Sequence, residues 1–391
     1  MKKLFSNLLF KVFIAIVLGI LFGLYLPESI NRIFTTFNAF FGQLLNFAIP
    51  LIIMGLIMPA ISDLGKGAGK LLLLTAGIAY GSTLFSGFMT YFVASGIFPQ
   101  LLESHVNNVA KIGGSAPELS PYFTITIPPA LDVMTALVFA FVIGLGLSYQ
   151  EKSSLKLVVK DFETIIMQLI ENVIVPLLPL FILGIFASMS FSGKVFSILS
   201  VFINIIGVIF ALHIIILLLQ YTIAGIVTKQ NPLKLLATMM PAYFTALGTQ
   251  SSAATIPVTL QQTLKNGVSE KIAGFVIPLC ATIHLSGSTM KITACAIALM
   301  ILHGMPFDFT LFAGFIFMLG IAMVAAPGVP GGAIMAAVGI LQSMLGFNDE
   351  MIGLMIALYI AMDSFGTACN VTGDGAIALV IEKITKEKLV A

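Results

Sequence analysis

The chain has 391 residues, of which 59% are apolar and only 9% are charged, and its mean hydropathy is +1.08. A soluble domain does not need that much apolar surface, and several apolar runs exceed the roughly 20 residues that cross a bilayer, so the sequence predicts a membrane protein in contact with lipid. The formal net charge of +2 gives no sign of the basic surface that nucleic-acid binding requires.

Eight apolar segments are predicted to cross the membrane as α-helices, within one transmembrane domain over residues 1–391. The first resembles a signal peptide, but it lacks a small-residue cleavage site, and we expect it to be retained as a helix. In chain order the predicted spans are 12–26, 37–58, 71–98, 127–147, 165–189, 195–227, 272–303 and 351–381.

Two further apolar segments are interrupted by glycine, proline and small polar residues. The first, 232–266, is interrupted at 248–257, and the second, 311–347, is interrupted at 327–332. Each half is too short to cross, so each segment is predicted to be a re-entrant helical hairpin. Such backbone is tolerated only where it is buried in protein or lines a cavity, and a pair of interrupted segments indicates a transporter's binding site. The predicted fold is an all-α polytopic membrane protein with eight transmembrane helices and two re-entrant hairpins.

The lysines indicate how the chain is oriented. With the N-terminus inside, only Arg32, Lys111 and Lys194 fall outside, as the positive-inside rule requires. We therefore expect a multi-pass protein of the cell membrane with both termini in the cytoplasm. The predicted cytoplasmic lysines are Lys2, Lys3, Lys11, Lys66, Lys70, Lys152, Lys156, Lys160, Lys229, Lys234, Lys265, Lys271, Lys383, Lys386 and Lys388.

The last predicted span carries two aspartates. Asp363 and Asp374 are eleven residues apart, so a helix places them about three turns apart on nearly one face, with Thr367 and Asn370 between them. A carboxylate at membrane depth is costly and indicates a functional site. Such a stripe of polar groups can hold a zwitterion and a cation, although single polar residues of this kind more often join helices to one another.

Four motifs occur in the order typical of one transporter family. They are the serine- and threonine-rich segment 249–259, the segment 281–288, the tip Gly328-Val-Pro-Gly331, and the stripe from Asp363 to Asp374. Together they resemble the dicarboxylate/amino-acid:cation symporter family of glutamate and aspartate transporters. The resemblance covers the whole chain and is most specific from Thr245 onward.

This resemblance implies a secondary active symporter, not an enzyme, that works as a homotrimer by an elevator mechanism. A scaffold part would comprise about 1–70 and 126–190, and a mobile transport part about 71–98 and 195–391. Asp363 would bind the ammonium of an amino acid, and Asn370 and Thr367 its α-carboxylate, while the two hairpin tips close around it. The implied substrate-binding residues are Gln250, Ser251, Ser252, Ser288, Lys291, Val329, Pro330, Gly331, Asp363, Gly366, Thr367 and Asn370.

The resemblance also implies that Na⁺ is the coupling ion. One sodium site would use Asp374 and Asn370 with backbone oxygens near Cys280 and His284. A second would use Thr282, Leu285 and carbonyls around 324–326 beneath the second tip. Hard cations prefer oxygen ligands of this kind.

Three departures from the family pattern bear on the substrate and the ions. Ser286 replaces the aspartate of a third sodium site, and His284 stands beside it as a candidate proton carrier or a packing residue. Gly366 and Gln250 occupy the two positions where acidic-substrate members carry an arginine. Lys291 lies within the seventh helix and could pair with Asp363, replace the missing sodium, bind an anionic substrate group, or extend to an interface.

The sequence therefore favours a sodium-coupled importer of a small amino acid, and a pocket without arginine favours a neutral side chain. Two alternatives remain: an acidic amino acid or dicarboxylate held by Lys291, and proton-coupled transport. A passive channel fits the two occluding tips poorly. The chain has no His-Glu-x-x-His or Gly-x-Ser-x-Gly motif that would favour an intramembrane enzyme.

Overall fold

The computed structural model of the protein describes residues 8–63, 70–113, 119–150 and 153–390. Within these ranges the chain is almost entirely α-helical and contains no β-strand, which confirms the all-α class. Four of the predicted cytoplasmic lysines lie outside the described residues: Lys2, Lys3, Lys66 and Lys152.

Fifteen α-helices account for most of the described residues. In chain order they are α1 (Leu8–Tyr25), α2 (Glu28–Asp63), α3 (Lys70–Gly113), α4 (Val133–Ser148), α5 (Ser154–Leu169), α6 (Val175–Phe191), α7 (Val195–Thr228), α8 (Pro232–Thr249), α9 (Ser252–Lys265), α10 (Glu270–Ile283), α11 (Ser286–Leu302), α12 (Phe309–Ala325), α13 (Gly332–Leu345), α14 (Asp349–Ala361) and α15 (Asp363–Val390). A π-helical turn, Ile170–Ile174, joins α5 to α6, so that these two helices form one continuous segment of 38 residues.

Six helical segments of the described chain are long and apolar enough to cross a bilayer, and the bent pair α14 and α15 makes a seventh. The start of the predicted span 127–147 is corrected, because its helix, α4, begins only at Val133 and has 16 residues. Pro128 and Pro129 lack an N–H and favour extended backbone before them. Asp132 then caps α4 by accepting a hydrogen bond from the Thr135 N–H at 3.0 Å.

Both predicted interruptions are present, and each separates two helices that pack on one another. The first falls at Gln250 and Ser251, between α8 and α9, and the second spans 326–331, between α12 and α13. Gln250 ends α8 with a φ of 54°, a left-handed conformation that forces the chain to turn. These pairs are helical hairpins; that they re-enter the membrane stays a prediction.

The last two predicted spans are broken as well. The seventh is interrupted at His284 and Leu285, between α10 and α11, within the segment 281–288 that the family resemblance singled out. The eighth, predicted as one helix over 351–381, is instead bent by 61° between α14 and α15. The break falls at Met362, and Asp363 supplies a carboxylate to the first turn of α15, where the helix dipole favours negative charge.

The helices pack in two groups with α11 at the centre of one. One group contains α1, α2, α4, α5 and α6, and the other contains α3, α7 to α11 and α15. The second hairpin packs against both groups, with α12 on α3 and both of its helices on α2, and α14 likewise packs against α11, α1 and α6. Nearly every residue of α11 is buried, so its polar side chains face protein rather than lipid.

Candidate functional site

A buried ion pair lies where α11 packs against the break between α14 and α15. The Lys291 Nζ atom donates a hydrogen bond to Asp363 Oδ1 at 3.1 Å, and the two side chains are 0% and 6% exposed. Nζ also lies 3.4 Å from the Met362 carbonyl oxygen and 3.7 Å from the centre of the Tyr359 ring. A carboxylate, a carbonyl and an aromatic face thus surround this ammonium as they would surround a free organic ammonium.

The second carboxylate oxygen of Asp363 is used by the second hairpin. The Gly331 N–H donates to Asp363 Oδ2 at 2.9 Å. Gly331 has a φ of 76°, a conformation that glycine adopts without strain, and this turn starts α13. Asp363 therefore connects α11, through Lys291, to the tip of the second hairpin.

The two hairpin tips are in direct contact. Ser251 Oγ donates to the Gly328 carbonyl oxygen at 2.9 Å, and Gln250 Nε2 donates to Ser364 Oγ at 2.9 Å. Ser252 is buried at the first position of α9, whose N-terminal amides can bind an anion. The described residues of both tips thus close over the start of α15.

The second tip also lies near the beginning of α1. Val329 and Pro330 are half-buried at its turn. A β-carbon built on Gly331 would lie 3.7 Å from Leu8 Cδ2. This tip is therefore placed at the end of α1 that is closest to the N-terminus.

The side chain of Asn370 already makes hydrogen bonds with other described residues, whereas that of Thr367 does not. The Gly287 N–H donates to Asn370 Oδ1 at 2.8 Å, and Asn370 Nδ2 donates to Ser288 Oγ at 3.2 Å. Ser288 in turn exchanges a hydrogen bond with the Tyr359 hydroxyl at 3.0 Å. Thr367 is 6% exposed, and its hydroxyl has no hydrogen-bond partner among the described residues. Thr367 is therefore the freer hydrogen-bond donor of the two.

Gly366 provides the space that the Lys291 side chain fills. A β-carbon built at Gly366 would lie 2.5 Å from Lys291 Nζ, closer than non-bonded atoms approach. Lys291 from α11 thus occupies the space beside position 366, where the resemblance predicts an arginine in acidic-substrate members.

A second buried acid–base pair lies deeper along α15. His284 Nδ1 and Asp374 Oδ1 are 2.8 Å apart, with side chains 0% and 1% exposed. His284 Nε2 lies 3.0 Å from Ser82 Oγ, which also accepts a hydrogen bond from Gln220 Nε2 at 3.0 Å. The Cys280 carbonyl accepts the His284 N–H at 2.9 Å. Of the first predicted sodium ligands, Asp374, His284 and Cys280 are therefore close together, with one Asp374 oxygen already bonded by His284. Asn370 instead bonds Gly287 and Ser288.

Thr282 lies at a separate cavity, away from the pair of His284 and Asp374. It lines a cavity of about 370 Å³ together with residues 324–326, where α12 ends and the second tip begins. Of the residues predicted for the second sodium site, Thr282 and 324–326 thus meet at this cavity, whereas Leu285 is buried elsewhere and does not line it. Its other wall is formed by Leu56 and Ala60 of α2, so the cavity lies between the two helix groups.

Neutral polar contacts surround Ser286, which the resemblance predicted to replace the aspartate of a third sodium site. The Ser286 carbonyl accepts a hydrogen bond from Ser86 Oγ at 2.9 Å, and Gln220 Nε2 lies 3.4 Å from Ser286 Oγ. The Thr83 hydroxyl and Gln220 Oε1 are buried without a hydrogen-bond partner among the described residues. Two oxygens thus remain available here without a carboxylate.

Sequence reasoning missed four residues that the structure places in contact with the predicted ones. Tyr359 and Met362 contact the Lys291 ammonium, and Ser82 and Gln220 complete the surroundings of His284. Gln220 carried a usable signal, because it is one of only two side-chain amides, with Asn204, in the apolar helix α7. Nothing in the sequence marks a backbone carbonyl such as that of Met362.

Comparison with known proteins gives a consistent picture. The family model described as the sodium:dicarboxylate symporter family matches residues 8–384. The chain is 31% identical over 165 residues to excitatory amino acid transporter 2 of Homo sapiens, covering 42% of this chain and 29% of that protein. It is 31% identical over 163 residues to excitatory amino acid transporter 5 of Mus musculus, covering 41% and 29%. The matched region thus spans less than a third of the length of these relatives.

Proposed function

Because the chain belongs to the sodium:dicarboxylate symporter family, a family of sodium-coupled membrane transporters rather than enzymes, we propose that it imports a small amino acid with a neutral side chain. Sodium ions provide the driving force. The main support for this choice of substrate is the ion pair of Lys291 and Asp363 at the centre of the site, which carries no net charge.

Charge balance favours a neutral amino acid. The Lys291–Asp363 pair has no net charge, and a zwitterion adds none, whereas aspartate or glutamate would add one negative charge to a dry site. An uncompensated buried charge is strongly unfavourable. Gly366 and Gln250 occupy the two positions where the resemblance predicts an arginine in acidic-substrate members. Neither residue can bind a side-chain carboxylate through two hydrogen bonds as arginine does.

Each part of the site then has a role. The substrate's ammonium binds Asp363 Oδ1, while Lys291 keeps its contacts with the Met362 carbonyl and the Tyr359 ring. The substrate's carboxylate accepts hydrogen bonds from Thr367, from Asn370, and from the amides of the two tips. Such neutral donors suit a carboxylate in a dry pocket.

Sodium would bind in two places and favour closure of the second tip. Asp374 and Asn370 would hold one ion, for which His284 must release its hydrogen bond to Asp374. Thr282 and the carbonyls of 324–326 would hold the other, beneath the tip. An ion at the second place stabilises the closed tip and therefore the bound amino acid, and this coupling is reciprocal.

We expect sodium to raise amino-acid affinity and Asp374→Asn to weaken this effect. The variant removes the only carboxylate of the first proposed sodium site. The factor by which sodium raises the affinity for the amino acid should therefore fall by about tenfold, which corresponds to ~1.4 kcal/mol of coupling free energy. The measurement is uptake and binding of labelled alanine and serine by proteoliposomes in sodium, potassium or choline. If the rate of uptake is independent of sodium and depends on a pH gradient instead, a proton drives transport and the sodium proposal is wrong.

We also propose that the protein is a homotrimer of the cell membrane that moves its transport part as an elevator, with both termini in the cytoplasm. Two observations support movement. The helices separate into two packing groups, and a cavity lies between α2 of one group and the second tip. The second tip lies beside Leu8, which favours an inward-facing state because the N-terminus is predicted to be cytoplasmic.

A second candidate substrate is an acidic amino acid or a dicarboxylate held by Lys291. Two observations favour this second candidate. The relatives are named excitatory amino acid transporters, and the buried Lys291 ammonium could pair with a side-chain carboxylate. Competition for uptake of labelled alanine separates the candidates. We expect excess alanine, serine or threonine to inhibit, aspartate and succinate to have little effect, and Lys291→Met to impair net uptake of all substrates alike. Strong inhibition by aspartate, lost only in Lys291→Met, would show that the side-chain carboxylate binds Lys291.

A further inference from the structure

Lys291 places its own ammonium where the proposed function places the substrate's amine. Its Nζ donates to Asp363 Oδ1, the atom assigned above to the amine. The other oxygen, Oδ2, holds the Gly331 N–H of the second tip at 2.9 Å. In this arrangement each oxygen of Asp363 has a donor from the chain itself, one from Lys291 and one from the second tip.

We propose that the Lys291 ammonium is a resident substitute for the substrate's amine, which lets the empty site close so that the carrier returns without a counter-transported solute. This inference rests on the proposed function. It makes Lys291 a positioning residue for Asp363 and the tip rather than a determinant of side-chain specificity.

The physical basis is the cost of an unpaired carboxylate in a closed site. Without an ammonium, an ionised Asp363 would keep neutral donors such as the Gly331 N–H but no opposite charge in a dry environment, and the unfavourable burial of its charge would favour opening of the tip to water. Lys291 removes that cost in the empty state. When an amino acid arrives, its ammonium replaces Nζ at Oδ1, while the Met362 carbonyl and the Tyr359 ring remain to hold Lys291.

The structure provides the room for this exchange. Gly366 leaves the volume beside Nζ free of a side chain, so Lys291 reaches Asp363 in an unobstructed conformation. The Lys291 stem is buried in α11, which keeps the ammonium near Asp363 at all times. A tethered group has a far higher effective concentration than a free solute, so it rebinds as soon as the amino acid leaves.

The first test separates net uptake from exchange. Proteoliposomes containing the full chain take up labelled L-alanine or L-serine either with empty interiors or with saturating unlabelled amino acid inside. Wild type should show net uptake at a rate comparable to exchange. Lys291→Met should retain exchange, because a substrate ammonium always occupies Asp363, while its net uptake falls by about tenfold or more relative to exchange. Lys271→Met, which changes an exposed lysine of α10, is the matched control and should behave as wild type.

The outcomes are distinct from a failure of the proposed function. If wild type performs only exchange, or Lys291→Met keeps the wild-type ratio of net uptake to exchange, the inference is overturned while amino-acid transport stands. If no neutral amino acid is taken up or exchanged, the proposed function fails, and the second test, which needs no substrate, still decides the inference.

The second test measures opening of the tip directly. The three native cysteines are buried, so Val329→Cys adds a thiol at the half-buried tip that maleimide can label selectively. In sodium-free protein without amino acid, adding Lys291→Met should raise the labelling rate about fivefold or more. Adding Asp363→Asn to Lys291→Met removes the unpaired charge and should restore slow labelling without any substrate, and alanine with sodium should also restore protection in Lys291→Met, whereas a merely misfolded site would label fast in every case. Equal labelling rates with and without Lys291 would contradict the inference.

Discussion

We expect Asp363→Asn to abolish amino-acid binding by the purified protein. The amide cannot pair with an ammonium, and it leaves Lys291 buried without its carboxylate. Removing one partner of a buried pair costs about 3–5 kcal/mol, which corresponds to a loss of affinity of roughly several hundredfold or more. Isothermal titration with alanine and serine in sodium is the measurement.

The matched control is Asp308→Asn. Asp308 is exposed and caps α12 by accepting the Leu311 N–H at 2.8 Å, a role that asparagine fills equally well. This variant should bind as wild type does. Size-exclusion chromatography should show that both variants keep the oligomeric state of wild type. Near-normal affinity in Asp363→Asn would show that the ammonium binds elsewhere.

The second large effect concerns stability. Lys291→Met should lower the free energy of unfolding in sodium-free detergent by about 3–5 kcal/mol, because the closed site then holds a charged Asp363 without a partner, and opening of the tip relieves that cost only by breaking the contacts of the tip. The double variant Lys291→Met/Asp363→Asn should recover most of that loss, since methionine and asparagine form a pocket without charge. Thermal denaturation of the two single variants, the double variant and wild type gives the coupling between the residues.

Lys271→Met again provides the comparison, because its side chain is exposed and its loss should change stability little. Strictly additive effects of Lys291→Met and Asp363→Asn would mean that the two side chains do not stabilise one another in solution. Addition of alanine with sodium should raise the melting temperature of Lys291→Met, since the substrate supplies the missing ammonium.

The helical elements could be predicted because apolar length and chain-breaking residues mark them. The first hairpin break at Gln250 lies within the small polar segment 248–257, and the second coincides with the glycines and prolines of 327–332. The bend at Met362 was missed, since Ala361-Met-Asp363 contains neither glycine nor proline. It is stabilised instead by contacts across the fold, among them the Lys291 hydrogen bond to the Met362 carbonyl.

The site could be predicted as a set of residues but not as a set of bonds. Asp363, Thr367 and Asn370 follow from helical spacing on α15 alone. The partner of Lys291 does not, because it lies 72 positions further along the chain, and four possibilities remained open. The same holds for His284 and Asp374, whose separation of 90 positions no local pattern reports.

The close fit of Lys291 beside Gly366 restricts how this site can change in evolution. A side chain at position 366 and the lysine at 291 compete for one volume, so their substitutions are strongly non-additive. An arginine gained at 366 alone would meet the lysine, and loss of the lysine alone would leave Asp363 unpaired. A lineage that moves between this site and an arginine-bearing one must therefore change both residues nearly together, so the two types of pocket form separate groups joined by few viable intermediates.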